Sequence, residues 1–335
     1  MKDFVLSDNY RVLSADGSQE KYYKDGVWYK QDLMANEGQV EQLASLVLSY
    51  SNLPSSAYVK YKLCTINGNM GCYSKDFSEN GRYSFFTLAN MMRYEYGANW
   101  KNKFSSLSVS ERKTEILEIS SRQFSLDLSD YFAKIFSLDL LMLNIDRHLN
   151  NLGVFFDNQT NSYKEAVIFD NGLSLTNGYI SMKQDESMME KVRNLKAKPF
   201  TPNFEQQMKL FGVGFKLDVV GLYVKLSQIT QDVAQDKRFC SQVQLLKRNL
   251  KHYIEYFYNI DAYALVTADN EYVGMRIVSL GSTYDTTYHG IPLENTDGTI
   301  RVTRGSDGRF YSQDELMSDC TVKSIDKNLV AELFM

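Results

Sequence analysis

The sequence predicts an α+β fold in two lobes, a small β-rich lobe followed by a larger helical one, with a further small β-rich unit after them. Three observations predict it. Short aromatic and β-branched runs separated by tight turns fill residues 1–35 and return at 57–77, with one helical period between them. From Glu79-Asn80-Gly81 to Asn259 the apolar spacing is that of helices. Beyond Asp261 short apolar runs return, punctuated by Asp297-Gly298 and Asp307-Gly308. A chain of 335 residues exceeds what one core usually holds, so boundaries are expected at 1–78, 79–260 and 261–335.

Taken in order, Phe4-Val5-Leu6 and Tyr10-Arg11-Val12-Leu13 read as strands before the polar turn 14–18. A hairpin follows, with arms Lys21-Tyr22-Tyr23 and Val27-Trp28-Tyr29-Lys30 meeting at Asp25-Gly26. From about Glu37, Val40, Leu43, Ala44, Val47 and Leu48 recur at helical spacing until Ser51-Asn52-Leu53-Pro54 stops the helix. Ala57–Leu63 and Gly71–Phe77 are strand candidates around Asn67-Gly68-Asn69. Ser84–Tyr96 and Ser110–Ser120 read as helices, and Leu128–Leu143 is apolar nearly all round, as a buried helix is. Val154-Phe155-Phe156 and Ala166–Phe169 suggest a hairpin across the polar loop Asp157–Glu165, which would bring Asn151 and Asp170 to one end of a ribbon. Further helices are expected at Asn203–Phe211, Leu217–Ile229 and Lys237–Asn259, with weaker Met- and Lys-rich material at 181–198. Tyr263–Val266, Val273–Leu280, Thr299–Thr303 and Phe310-Tyr311 supply the strands of the last unit.

Composition excludes several classes. Apolar residues make up 44% and charged ones 23%, which suits a globular chain and argues against disorder. The net charge of −4, without a basic block, points away from nucleic acid and anionic membranes. Cys64, Cys72, Cys240 and Cys320 are scattered, with no zinc spacing, and read as reduced structural thiols. The start lacks a long apolar region, and no run of about 18 apolar residues exists for a membrane span. A cytoplasmic protein is expected, although leaderless export would leave the same sequence.

The chemistry concentrates in Asn144-Ile145-Asp146-Arg147-His148-Leu149-Asn150-Asn151, answered by Ile168-Phe169-Asp170-Asn171-Gly172. An Asp with an Asn five positions on, then an apolar run ending in a second Asp before Gly, is the kinase-type spelling of a base and metal site. Asp146 would orient a substrate hydroxyl, while Asn151 and Asp170 offer oxygen ligands to Mg²⁺. Each has a plainer explanation: Asp146 at a helix exit can cap or pair with Arg147, and Asn151 and Asp170 both sit in good turn chemistry. Their joint spacing favours the site. His148 and Arg147 lie inside the loop and read as supporting residues.

In the small lobe Lys30 ends an aromatic strand, where an ammonium could lie against phosphates. Glu37 and Glu41 are four apart on the next helix, and Glu41, better embedded in the apolar period, is favoured as its partner. The turn containing Gly17 and Ser18 lies one hairpin before Lys30, where backbone amides could close over a nucleotide, though it matches no phosphate-loop pattern.

At Asp146-Arg147-His148-Leu149-Asn150-Asn151 and Ile168-Phe169-Asp170-Asn171-Gly172 the sequence resembles the HipA-like bacterial serine/threonine kinases, including the smaller, CtkA-type members. The resemblance runs from about Gly17 to the helix ending near Asn259. It implies a two-lobed protein-kinase-like fold, use of ATP and Mg²⁺, and phosphorylation of serine or threonine on a protein substrate. It also implies self-modification in the nucleotide loop, for which Ser18 is in the right region. Carried over by position, Asp146 resembles the catalytic Asp, Asn151 and Asp170 the metal ligands, and Lys30 the phosphate-binding Lys. Against the founding toxin family the chain is expected to be shorter, without its long N-terminal region, and residues beyond Asp261 match nothing in the resemblance. Phosphatidylinositol kinases share the Asp-Arg-His-x-x-Asn string but continue to Asp-Phe-Gly, where this chain has Asp170-Asn171-Gly172. A lipid or small-molecule kinase and an inactive nucleotide-binding module are the competing readings.

Overall fold

Successive side chains of a strand point to opposite faces, and this decides which residues of the early strands each face of the sheet receives. The computed structural model describes residues 1–12, 19–33, 36–177, 188–232 and 236–257, and beyond these the backbone of the strands named below. The first elements are β1 (Lys2–Phe4), β2 (Arg11–Val12), β3 (Lys21–Lys24), β4 (Val27–Gln31), α1 (Glu37–Ser49), β5 (Lys62–Ile66) and β6 (Asn69–Lys75). They make a six-stranded sheet in the order β1-β5-β6-β4-β3-β2. β1 and β5 run parallel, the other neighbours antiparallel.

The register opposes Tyr22 to Tyr29 and Lys21 to Lys30, and Lys30 to Cys72 on the other side. Tyr22 and Tyr29 pack with Leu6, Cys64 and Ile66 on one face. Lys30 therefore projects from the opposite face, beside Lys21, toward α1. Close approach of strands is enforced at Gly71, where a Cβ would lie 2.3 Å from the carbonyl oxygen of Lys30. Cys64, Cys72 and Cys240 carry free thiols.

Two strands differ from expectation. β1 ends at Phe4 because the Asn67 side chain takes over the next backbone groups, accepting from Leu6 N at 2.8 Å and donating to Leu6 O at 2.9 Å. The strand expected at Ala57–Leu63 begins only at Lys62, because Tyr58 is drawn into an isolated parallel bridge with Ile168.

Helix α1 buries Val40, Leu43, Ala44, Val47 and Leu48 together with Glu37 and Glu41. Its first turn is tied by Asp32, whose Oδ1 accepts from Gly38 N at 2.7 Å. Burial, opposed by the Gly38 N–H and reinforced by Glu37 and Glu41, pushes the Asp32 carboxyl up to about 6. A carboxyl raised above its unfolded value of about 3.9 costs stability where it is ionised. The wild type therefore loses stability as pH rises from about 4 through 6. Asp32→Asn keeps the acceptor and removes the charge, so it is expected to raise the thermal midpoint above pH 6 and to match the wild type below pH 4. Equal midpoints of the two proteins at every pH would count against the raised carboxyl.

Next come β7 (Tyr83–Thr87), α2 (Leu88–Tyr96), α3 (Trp100–Ser106), α4 (Val109–Phe124), α5 (Ser129–Met142), β8 (Gly153–Asp157) and β9 (Ser162–Glu165). They are followed by α6 (Met188–Asn194), α7 (Phe204–Phe211), α8 (Val219–Asp232), α9 (Lys237–His252) and α10 (Ile254–Phe257). The helix expected at Ser84–Tyr96 starts at Leu88 instead. Phe85 and Phe86 extend as β7, in register with Phe155 and Val154, and Thr87 caps α2 by accepting from Asn90 N. The helix expected at Lys237–Asn259 is broken at Tyr253.

The hairpin is also corrected. Its second strand is Ser162–Glu165, not Ala166–Phe169, so the polar loop shortens to 158–161. β9 is a partly exposed edge strand whose polar residues carry no apolar signal. Ile168 instead exchanges backbone bonds with Ala57 and Val59, both from outside the hairpin.

α5 is buried along most of its length, and its Phe132 and Phe136 stack on each other, meet Phe200 edge to face and pack at a tilt on Phe211. By packing, the chain divides into two units. One comprises Met1–Ser49, Leu53–Phe215 and Gln228–Asn249, and the other Tyr50–Asn52, Lys216–Ser227 and Leu250–Met335. In the second, Asp218 N donates to Tyr50 O at 2.8 Å, and Ser51 bridges Leu217. Its later strands are β10 (Ile260–Val266), β11 (Tyr272–Ser279), β12 (Thr287–Gly290), β13 (Ile300–Arg304), β14 (Phe310–Ser312), β15 (Glu315–Leu316) and β16 (Thr321–Ser324). They form the antiparallel sheets β11-β10-β16 and β12-β13-β14-β15. Among the described residues no helix is long and apolar enough to cross a membrane.

Candidate active site

All the described site residues belong to the first unit. Lys30 leaves β4 toward α1, and its Nζ donates to Glu41 Oε1 at 2.9 Å and to Asp170 Oδ1 at 3.0 Å. Burial works against the Lys30 charge, but Asp170 and Glu41 more than offset it and hold its pKa well above the ordinary lysine value. At Asp170 burial also opposes ionisation, and Lys30, helped by Lys21 and Arg147, overcomes it, so the carboxyl is held down to about 2. This acid is ionised throughout the neutral range. Lys21, beside Lys30 on β3, has its pKa lowered by burial and by the Lys30 charge, with Asp170 and Glu41 pulling the other way.

Glu41 holds more than the lysine. Its Oε2 accepts from Asn171 N at 2.9 Å, so one buried carboxylate joins β4 to the segment after Asp170. Gly172 permits this closeness, since a Cβ there would lie 3.2 Å from Glu37 Cβ. Asp170 itself has the left-handed φ of 60°, a conformation that short polar Asx side chains tolerate better than most.

Helix α5 ends on Leu143 in the left-handed region and hands the chain to Asn144. Asn144 is buried, and its Oδ1 accepts from Asp146 N at 2.9 Å while its Nδ2 donates to Asp170 O at 3.3 Å. Asn151 closes the loop from the other side, donating through Nδ2 to Asp146 O at 3.1 Å. Asn151 and Asp170 are thus connected through Asp146 and Asn144, and no hydrogen bond among the described residues joins them directly.

Arg147 is 0% exposed and does not pair with Asp146. Its guanidinium donates to Asp139 at 3.0–3.2 Å, to Asn171 Oδ1 at 2.6 Å and to Phe169 O at 2.7 Å. Burial raises the Asp139 pKa, against the pull of Arg147. The Asp146 carboxylate, 36% exposed, instead faces His148 Nε2 at 3.8 Å and Lys198 Nζ at 3.7 Å. Among the described residues His148 Nδ1 is buried without a hydrogen-bond partner.

The structure therefore gathers Lys30, Glu41 and Asp170 in direct contact, and Asp146, Arg147, His148 and Asn151 in one loop beside them. Gly17 and Ser18 lie outside the described residues. Asp139, Asn144, Asn171 and Lys198 were not singled out from the sequence. A charge inside the apolar run Leu138-Asp139-Leu140-Leu141 was the one available signal.

No family model and no curated protein matches the sequence. Twelve chains of solved structures match it, two bacterial ones among them. One is the Helicobacter pylori proinflammatory kinase CtkA, 14% identical, with 76% of this chain and 94% of that one covered and a TM-score of 0.48. The other is Shewanella oneidensis MR-1 HipA, solved with HipB and its operator DNA, 13% identical, with 75% and 67% covered and a TM-score of 0.38. Likeness at these TM-scores carries no chemistry, which rests on the residues of the site.

Proposed function

We propose that this chain is an ATP- and Mg²⁺-dependent phosphotransferase of the HipA-like type, transferring the γ-phosphoryl group to a serine or threonine hydroxyl of a protein. One observation carries the reading: Lys30 bridges Glu41 and Asp170 at 2.9 and 3.0 Å, joining residues far apart in the chain beside the Asp146 loop. A buried lysine between two carboxylates is an expensive arrangement for stability alone, and it suits a site that receives phosphates.

In this reading Lys30 holds the α- and β-phosphates and Glu41 aims it. Asp146 accepts a hydrogen bond from the acceptor hydroxyl and directs its oxygen at phosphorus. The donor set suits Mg²⁺: Asn151 spends its amide N–H on Asp146 O, which leaves its oxygen as the ligand end, and Asp170 keeps a second carboxylate oxygen beyond the one facing Lys30. Bound Mg²⁺ would neutralise charge on the phosphates during transfer. Among the described residues no group of three His, Cys, Asp or Glu forms a protein-only metal cage, and Mg²⁺ in phosphotransferases takes few protein ligands and completes its shell with phosphate and water.

Asp170→Asn removes the charged ligand while keeping its shape. Calorimetric titration with a non-hydrolysable ATP analogue is expected to show Mg²⁺-dependent binding in the wild type and none in the variant. Unchanged Mg²⁺-dependent affinity would sink the metal assignment. With labelled ATP, label on protein supports the reading, label only in extracted lipid favours a lipid kinase, and binding without transfer indicates an inactive nucleotide-binding module.

A further inference from the structure

We propose that Lys198 is a catalytic residue of this site, its ammonium contacting the γ-phosphoryl group as it passes to the hydroxyl held by Asp146. The inference rests on the phosphotransferase reading above and assigns a group that no motif of the loop contains. In the loop itself the arginine that follows Asp146 gives its carboxylate no charge, because Arg147 is wholly buried on Asp139. The full positive charge beside Asp146 comes instead from Lys198, 3.7 Å from Asp146 Oδ1 and distant in the chain.

The segment around Lys198 is built to present it. Gln207 of α7, 1% exposed, donates from Nε2 to Lys198 O at 2.6 Å and accepts at Oε1 from Phe200 N at 3.0 Å. Ala197 N donates to Pro202 O at 2.9 Å, closing the turn. Phe200 is fully buried against Phe104, Phe132, Phe136 and Phe211, and its carbonyl accepts from Arg112 Nη1 at 3.0 Å. Between the buried Ala197 and Phe200, Lys198 is 53% exposed, so a fixed backbone carries a solvent-facing ammonium beside the Asp146 carboxylate. Nothing in the folding of the turn needs that charge.

The step is a phosphoryl transfer. A bond forms between the acceptor oxygen and the γ-phosphorus, the bond from that phosphorus to the β–γ bridging oxygen breaks, and ADP leaves with the electron pair. The hydroxyl proton passes to Asp146 or to solvent. In passage the charge is spread over the three equatorial oxygens of the transferring group, and a preorganised cation beside them stabilises it. In the resting protein the Asp146 carboxylate holds the ammonium in place.

The test compares wild type, Lys198→Met and Lys198→Arg, using labelled ATP with Mg²⁺ and dephosphorylated casein as acceptor, and measuring ADP binding separately. Lys198→Met is expected to lower kcat by about 10²–10³-fold, the usual loss for one stabilising donor. ADP affinity and the thermal midpoint should stay at wild-type values, and Lys198→Arg should recover much of the rate. A Met variant with wild-type kcat, or one whose loss appears in KM alone, overturns the assignment while the kinase reading stands. A wild type that transfers phosphate to neither casein nor water overturns both.

Discussion

Asp146→Asn is expected to abolish measurable phosphate transfer while leaving nucleotide binding intact. The substitution keeps the volume and the backbone bonds of the loop, in which Asn144 Oδ1 accepts from residue 146 N and Asn151 donates to residue 146 O. It removes the one charge that can accept from an acceptor hydroxyl. A positioned general base contributes about 10²–10⁴ in rate, so transfer should fall by that amount. Asp146 touches neither Lys30 nor Glu41 among the described contacts, so ATP-analogue affinity should be unchanged. Initial rates of label transfer to casein read the first effect and calorimetry the second. Wild-type transfer by the variant would remove Asp146 from its proposed role.

The largest effect on stability is expected at Arg147. Its guanidinium is 0% exposed and its partner Asp139 1%, so neither can be resolvated locally if the other is lost. Removing one member of a buried pair costs about 3–5 kcal/mol, because the other charge is left without compensation. Arg147→Leu should therefore lower the thermal midpoint by roughly 6–20 °C, at about 2–4 °C per kcal/mol for a unit of this size. It also strips donors from Asn171 Oδ1 and Phe169 O. The double variant Asp139→Leu, Arg147→Leu should recover a good part of the loss, since no bare charge remains buried, but not all of it, because those two acceptors stay unpaired. Denaturant midpoints of the four proteins measure the coupling. A single variant within about 1 kcal/mol of wild type would mean the pair is not the anchor its geometry indicates.

The arginine shows how the loop and the Asp170 segment are held together. Arg147 grips Asp139 on α5, and through Phe169 and Asn171 it grips both sides of Asp170. Glu41 takes Asn171 from the other direction. Asp170 is thus suspended between two buried charged groups, with its carboxylate left to face Lys30.

What was legible beforehand divides along physical lines. The β3–β4 hairpin was readable from aromatic arms around Asp25-Gly26, α1 from its helical period, and α5 from an apolar run too long for a strand. The choice of Glu41 over Glu37 as the contact of Lys30 was readable for the same reason: position in the helical period decides direction. Residues 84–87 and 162–165 were not. Phe85 and Phe86 fit either period, and the polar β9 carries none, so pairing with β8 decided both.

In the site, the sequence by itself determined the candidate set Asp146, Asn151 and Asp170, through their spacing after a buried helix and an apolar run. Lys30 could be nominated from its strand. Only the tertiary structure decided that Arg147 belongs to Asp139 rather than Asp146, that Asn144 and Asn171 tie the pieces together, and that Lys198 stands over the Asp146 carboxylate. The physical reason is the same in each case. Patterns along a chain report periodicity and burial, whereas the partner of a charge is settled by which distant segment packing brings within a few ångströms.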